Sequence, residues 1–215
     1  MQLLGIAGLW AGGTAFLRSR APIGRDVSGN SNAQRILSDS GFPQSGPADS
    51  DLAIAVFSDY QCPACRFAEP GLIEAVDADR RIKIIYRDWP VFGPRSDNAA
   101  RVALASAYQG KYEAVHRQLM TTPGRLDEAR VRSAAEQSGV YWPRLQQDLE
   151  AHDDEIKRKL SKTAWDAFGL GLPGTPGYLI GNLLVTGALR ESEFRRAFAR
   201  ARELAGAPKV SRSVQ

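Results

Sequence analysis

Thiols and imidazoles are scarce in this chain. Two cysteines and two histidines occur among 215 residues, so a scaffold stapled by several disulfides is excluded, and a cysteine–histidine metal centre lacks ligands. A surplus of one charge is missing too. The 28 basic residues stand against 24 acidic ones, a formal net charge of +4, and without Arg18 and Arg20 beside the N-terminal apolar run the balance is 26 to 24, or +2. No nucleic-acid partner is therefore expected. The 20 glycines and 12 prolines have no period, which excludes collagen-like and low-complexity classes. Only one long apolar run is present, at residues 2–17, which excludes a polytopic membrane protein. With 43% hydrophobic residues the chain can bury a core.

The single run, QLLGIAGLWAGGTAFL, is short for a membrane span and suits the apolar part of a secretory signal. Its arginines follow it rather than precede it, so the expectation is that translation starts upstream, with a basic segment. Residues 1–20 are assigned as a signal peptide or anchor, with Gly13 and Ala15, or Ser19 and Ala21, as candidate cleavage positions. That places the protein in the periplasm or another extracytoplasmic space, with membrane anchoring by this segment as the variant.

Residues 21–48 are rich in Ser, Asn, Gly, Pro and Asp and read as a linker with one edge strand. Leu52 to Phe57 (LAIAVF) is a short apolar run with β-branched members, which fits a buried strand. After Pro63, the positions Phe67, Leu72, Ile73 and Val76 recur at helical spacing, with Pro63 suited to a first turn and Pro70 to a kink. Ile82 to Tyr86 (IKIIY) reads as a second strand, completing a parallel βαβ unit. Residues 96–168 are Ala-, Arg- and Glu-rich and predict about four helices. Tyr178 to Ile180 and Leu183 to Val185 flank Gly181-Asn182 and predict a β-hairpin. A final helix spans about Glu191 to Ala205, with Phe194, Phe198 and Ala201 on one face. Residues 207–215 read as a flexible tail.

Both cysteines fall in one motif, Cys62-Pro63-Ala64-Cys65, between the first strand and its helix. A cysteine is a nucleophile only as a thiolate, and a helix N-terminus offers unpaired N–H groups and a positive dipole end that stabilise one. Cys62 is expected at the N-cap, exposed and attacking. Cys65 lies one turn further in, close enough for a disulfide and resolving it. The alternative reading of CxxC as half a zinc site lacks a second CxxC, and His116 and His152 have no ligand-like spacing to it, so no metal or other cofactor is expected. The histidines, Trp89, Tyr112, Trp142 and Trp165 read as packing residues, and Arg195, Arg196, Arg200 and Arg202 as a solvated face.

FSDYQCPAC, at Phe57 to Cys65, resembles the active-site segment of the DsbA-like thiol-disulfide oxidoreductases of the thioredoxin superfamily. Tyr86-Arg87-Asp88-Trp89-Pro90, Gln109-Gly110-Lys111-Tyr112 and Gly174-Thr175-Pro176 are similar to further segments of that family. The resemblance implies an α/β, thioredoxin-like fold with an inserted helical domain, the core at 49–95 and 169–206 and the insertion at 96–168. It also implies a cis Pro176 facing the cysteines, and an extended substrate paired to Thr175 and bordered by Pro63 and Ala64. The implied activity is dithiol–disulfide exchange with cysteine-containing protein substrates, in the direction of disulfide formation, by a monomer reoxidised by a membrane redox partner. Reduction or isomerisation by the same pair is the enzymatic alternative; a non-catalytic thioredoxin-fold binding module is the other.

Two positions depart from the family. The carboxylate often placed six residues before the first cysteine is replaced by Val56, and the most oxidising relatives carry His where this chain has Ala64. Asp59 is the nearby acid on the approach strand and is the candidate to assist proton transfer through water, or else to satisfy backbone N–H groups.

Overall fold

A computed structural model describes residues 23–206, so the leader and the C-terminal tail lie outside the described residues. The strands are β1 (Arg25–Asp26), β2 (Gln44–Ser45), β3 (Leu52–Ser58), β4 (Ile82–Asp88), β5 (Gly177–Ile180) and β6 (Leu183–Thr186). The helices are α1 (Ser31–Leu37), α2 (Pro63–Asp79), α3 (Pro94–Ser106), α4 (Tyr112–Thr121), α5 (Glu128–Gln137), α6 (Trp142–Ala151), α7 (Asp153–Leu170) and α8 (Glu191–Gly206). The strands form one sheet in the order β1-β6-β5-β3-β4-β2. Only β3 and β4 are parallel, joined by α2 as the crossover; β5 lies antiparallel to β3 on its other side. This is the thioredoxin-like α/β fold, with helices on both faces of a mixed sheet.

The period of two along β3 sorts its side chains between two cores. Leu52, Ile54 and Val56 face a core shared with α2, α8 and the helical segment, whereas Ala55 and Phe57 face a second core under α1 and α7. Burial on both faces explains why β3 and β4 are nearly uninterrupted apolar runs. The register then positions the chemistry. Ser58 pairs with Asp88 at the exit of β3, and Phe57 pairs with Gly177 at the entry of β5. The cysteine turn, the end of β4 and the loop ending in Pro176 thus meet at one end of the central strands. Behind α2, Gly71 admits the start of α8 so closely that a Cβ there would stand 2.8 Å from the Glu191 nitrogen.

Several expectations are corrected. Residues 25–48 are not a bare linker: they contribute β1, α1 and β2, and Val27, Ala33, Ile36 and Phe42 are buried. The helical segment has five α-helices among the described residues, because His152 separates α6 from α7 without a glycine or proline to mark the break. Trp165 is not packed inside but is 76% exposed. Arg202 is not simply solvated: its guanidinium bridges Asp51 and Asp79 at 2.6 and 2.7 Å, fastening α8 to α2 and the start of β3.

Candidate active site

Cys62 occupies the N-cap of α2 with extended dihedrals, φ −74° and ψ 116°, and Pro63 opens the first turn. No side chain caps this end, so the N–H groups of Ala64 and Cys65 are free to face the Cys62 sulfur. Both thiols are free, and the Cys62 thiol donates to the Thr175 carbonyl at 3.4 Å. The Thr175–Pro176 peptide is cis, and Pro176 is buried. Cys62 is only 2% exposed, against the expectation of an open sulfur, because the 175–176 loop lies across it. Pro63 is exposed and Ala64 half-buried, so they border the sulfur on its solvent side.

The two sulfurs divide their protons unequally. A hydrogen bond from the Cys65 thiol stabilises the Cys62 thiolate against the cost of its burial, and the Thr175 hydroxyl and the N–H groups of Cys65 and Ala64 add to it. The Cys62 pKa falls from 9.0 to about 5. Cys65, 3% exposed, is pushed strongly upward, first by donating that bond and then by burial. The Thr175 Oγ1 is buried with no hydrogen-bond partner in the reduced, protonated state of the pair, and it stands beside both sulfurs.

Asp59 is bound into a network of donors. Its carboxylate accepts from the Gln61 N–H at 2.7 Å, the Ser96 hydroxyl at 2.7 Å, and the Val91 and Phe92 N–H groups at 2.6 and 3.1 Å. At 1% exposure and with both oxygens occupied it satisfies backbone donors, the second of its two sequence readings. It thereby holds the β4–α3 loop, with exposed Val91 and Phe92, beside the cysteine turn.

Sequence reasoning missed a buried polar cluster behind that turn. Tyr60, two residues before Cys62, meets the His116 Nδ1 at 2.9 Å; His116 Nε2 meets Glu69 Oε1 at 3.2 Å; and the Tyr112 hydroxyl donates to Asp88 at 2.9 Å. Burial raises Asp88 to about 6. Burial opposes the His116 charge, but Glu69 and Asp88 outweigh it and raise the imidazole above its ordinary 6.5. Helical spacing carried one signal, since Glu69 follows Cys65 by four residues and so shares its buried face. Arg66 was missed as well: it clamps the turn by donating to the Tyr60 carbonyl at 2.6 Å and the Thr122 carbonyl at 2.7 Å.

A dithiol at a helix N-terminus, one thiol acidic and the other held protonated, beneath a cis-proline loop on a thioredoxin-like sheet, has the geometry that thiol–disulfide exchange requires. The chain belongs to the DSBA-like thioredoxin domain family, whose model matches residues 53–199. Among solved structures it is similar to a thioredoxin-like oxidoreductase from Silicibacter pomeroyi DSS-3, 37% identical with a TM-score of 0.75 over 81% of this chain and 98% of that one. It is also similar to the thiol-disulfide exchange protein alpha-DsbA2 from Wolbachia pipientis, 26% identical with a TM-score of 0.74 over 79% and 92%. A further match is the Na(+)/H(+) antiporter NhaA 1 of Mycolicibacterium gilvum, 28% identical over 135 residues, 61% of this chain but 22% of that protein. The chain thus spans about a fifth of the length of the curated relatives it matches. No helix among the described residues is long and apolar enough to cross a membrane.

Proposed function

We propose that this protein forms disulfides in cysteine-containing protein substrates outside the cytoplasm, with Cys62–Cys65 as the redox pair. A substrate thiolate attacks the Cys62 sulfur of the oxidised pair, the Cys62–Cys65 bond breaks, and Cys65 leaves and takes up a proton. A second substrate thiolate then attacks the substrate sulfur of the mixed disulfide. The substrate departs oxidised, and two electrons remain on Cys62 and Cys65. A membrane redox partner removes them to restart the cycle. In this reading the Thr175 backbone pairs with an extended substrate segment, bordered by Pro176, Pro63 and Ala64; the contact of the Cys62 thiol with the Thr175 carbonyl supports it.

What carries this reading is the seat of Cys62 at the uncapped N-terminus of α2, with the Cys65 thiol and the Ala64 and Cys65 N–H groups turned to its sulfur, which lowers its pKa to about 5. A thiolate stabilised in the folded protein favours the reduced form, and a pair that prefers to be reduced oxidises others. The same acidity makes Cys62 a good leaving group when the second substrate thiolate attacks. The apolar leader supports an extracytoplasmic site, where such an oxidant has substrates.

Equilibrating the purified protein in glutathione redox buffers tests the direction. A potential above about −180 mV is expected; a value near about −270 mV overturns disulfide formation in favour of reduction. Replacing Cys65 by Ser is expected to trap mixed disulfides on Cys62, an outcome that a non-catalytic binding module would not produce.

A further inference from the structure

His116 is fully buried, yet three tyrosine rings surround it, with centroids at 5.4 Å (Tyr60), 4.7 Å (Tyr86) and 5.8 Å (Tyr112). Aromatic ring faces accommodate an imidazolium. The groups that face it are Tyr60 from the cysteine turn, Glu69 from α2, Tyr86 and Asp88 from β4, and Tyr112 and Glu113 from α4, where Arg117 pairs with Glu113. Only Glu69 makes a direct ionic contact, at 3.2 Å, with side-chain exposures of 0% for His116 and 8% for Glu69. Glu69 stands on the helix that carries both cysteines, seven positions after Cys62, or about 10 Å along the helix axis. Glu69 also lines an open groove together with Pro70, Ile73 and Arg117.

We propose that the Glu69–His116 pair balances charge beneath the redox dithiol: His116 is a positioning residue that neutralises a carboxylate α2 would otherwise present, uncompensated, below the Cys62 thiolate. A uniform polar interior would not need this arrangement. An unpaired negative charge about 10 Å from a thiolate, in a medium of effective dielectric near 20, makes ionisation of that thiol about tenfold less favourable. The inference deepens the proposed function, since it concerns the same redox pair.

The test is an ultraviolet titration of the reduced full-length protein, which reads the Cys62 thiolate without any substrate, together with the potential in glutathione buffers. His116→Asn is expected to raise the thiolate midpoint by about one unit and lower the potential by about 30 mV. Glu69→Gln removes the carboxylate that holds His116 charged against its burial, so both charges of the pair go together and the midpoint is expected to stay close to the wild-type value. The double variant is expected to stay there too. An unmoved or lowered midpoint in His116→Asn, or a Glu69→Gln midpoint raised as far as that of His116→Asn, would overturn the proposal, because a purely structural loosening of the network moves both single variants alike. Should His116→Asn not fold, His116→Gln takes its place under the same criterion. If the wild-type pair shows no reversible dithiol–disulfide step, the proposed function fails instead, and the titration still reports on the charge balance.

Discussion

At the scale of single residues, the acidity of Cys62 is a sum of small contributions, and Thr175 is the one that can be removed most cleanly. Its buried hydroxyl has no partner while Cys62 is protonated and lowers the Cys62 pKa when the thiolate forms, so a valine of the same shape removes that donor without leaving an orphan elsewhere. Thr175→Val should raise the Cys62 midpoint above about 5, by about one unit, and Thr175→Ser should restore it. The ultraviolet absorbance of the thiolate, followed against pH, checks both; an unmoved midpoint in the valine variant would assign the acidity to the helix N-terminus and Cys65 alone. Cys62 and Cys65 were legible in the sequence because their chemistry is local: two thiols, a proline and a strand–helix junction are contiguous. Asp59 was visible, with the satisfying of backbone N–H groups as one of its two readings, but its partners were not, since Val91, Phe92 and Ser96 lie more than thirty positions along the chain. Glu69, Asp88 and His116 were not legible as a unit, because the contacts that join them exist only after α4 packs against α2 and β4.

At the scale of elements, the N-terminus of α2 couples redox state to stability. The Cys62 pKa falls from 9.0 to about 5 on folding, so it is a depressed acid: its stabilisation is complete above about 9 and is lost as the pH falls to about 5. The oxidised protein has no such thiolate. Reduced protein should therefore gain stability over the oxidised form as the pH rises from about 5 toward 9, while Asp88, raised to about 6, contributes to both forms and cancels from the difference. Urea midpoints of the two forms measured across that range check it; a difference that stays flat would contradict the depressed thiolate. The elements themselves were read from the sequence with uneven success, for physical reasons. β3, β4, the β5–β6 hairpin and α8 each carry an unbroken period or a strong turn signal, as in Gly181-Asn182 with Gly181 at φ 52°. By contrast, α1 spans seven residues and buries only Ala33 and Ile36, too little apolar pattern to stand out from a polar stretch.

At the scale of the whole molecule, one buried ionic cluster ties together parts of the fold that are far apart in sequence. Arg87, fully buried on β4, pairs with Asp166 on α7 and lies 3.6 Å from Asp39 in the loop after α1, with its guanidinium over the Phe42 ring. Asp166 also takes Arg35 from α1 at 2.6 Å and Lys162 at 3.0 Å. The N-terminal segment, the sheet and the last helix of the helical segment therefore share one charge network, which is why residues 25–48 are ordered despite a composition that reads as linker. Burial lowers the Arg87 pKa, yet the group cannot shed its charge in the accessible range, so its partner must remain. Asp166→Ala should accordingly destabilise the protein by about 3–5 kcal/mol, because it leaves a buried guanidinium with only Asp39 nearby. Lys162→Ala, which removes a side chain that is 40% exposed, should cost less than about 1 kcal/mol. The joint replacement Arg87→Met with Asp166→Leu should recover most of the loss, since apolar groups of similar size need no partner. Urea unfolding of the three variants decides the matter: if Asp166→Ala is no worse than Lys162→Ala, then Asp39 and Phe42 suffice for Arg87 and α7 is held to the sheet by its apolar contacts, Ala167 and Leu170, instead of by charge.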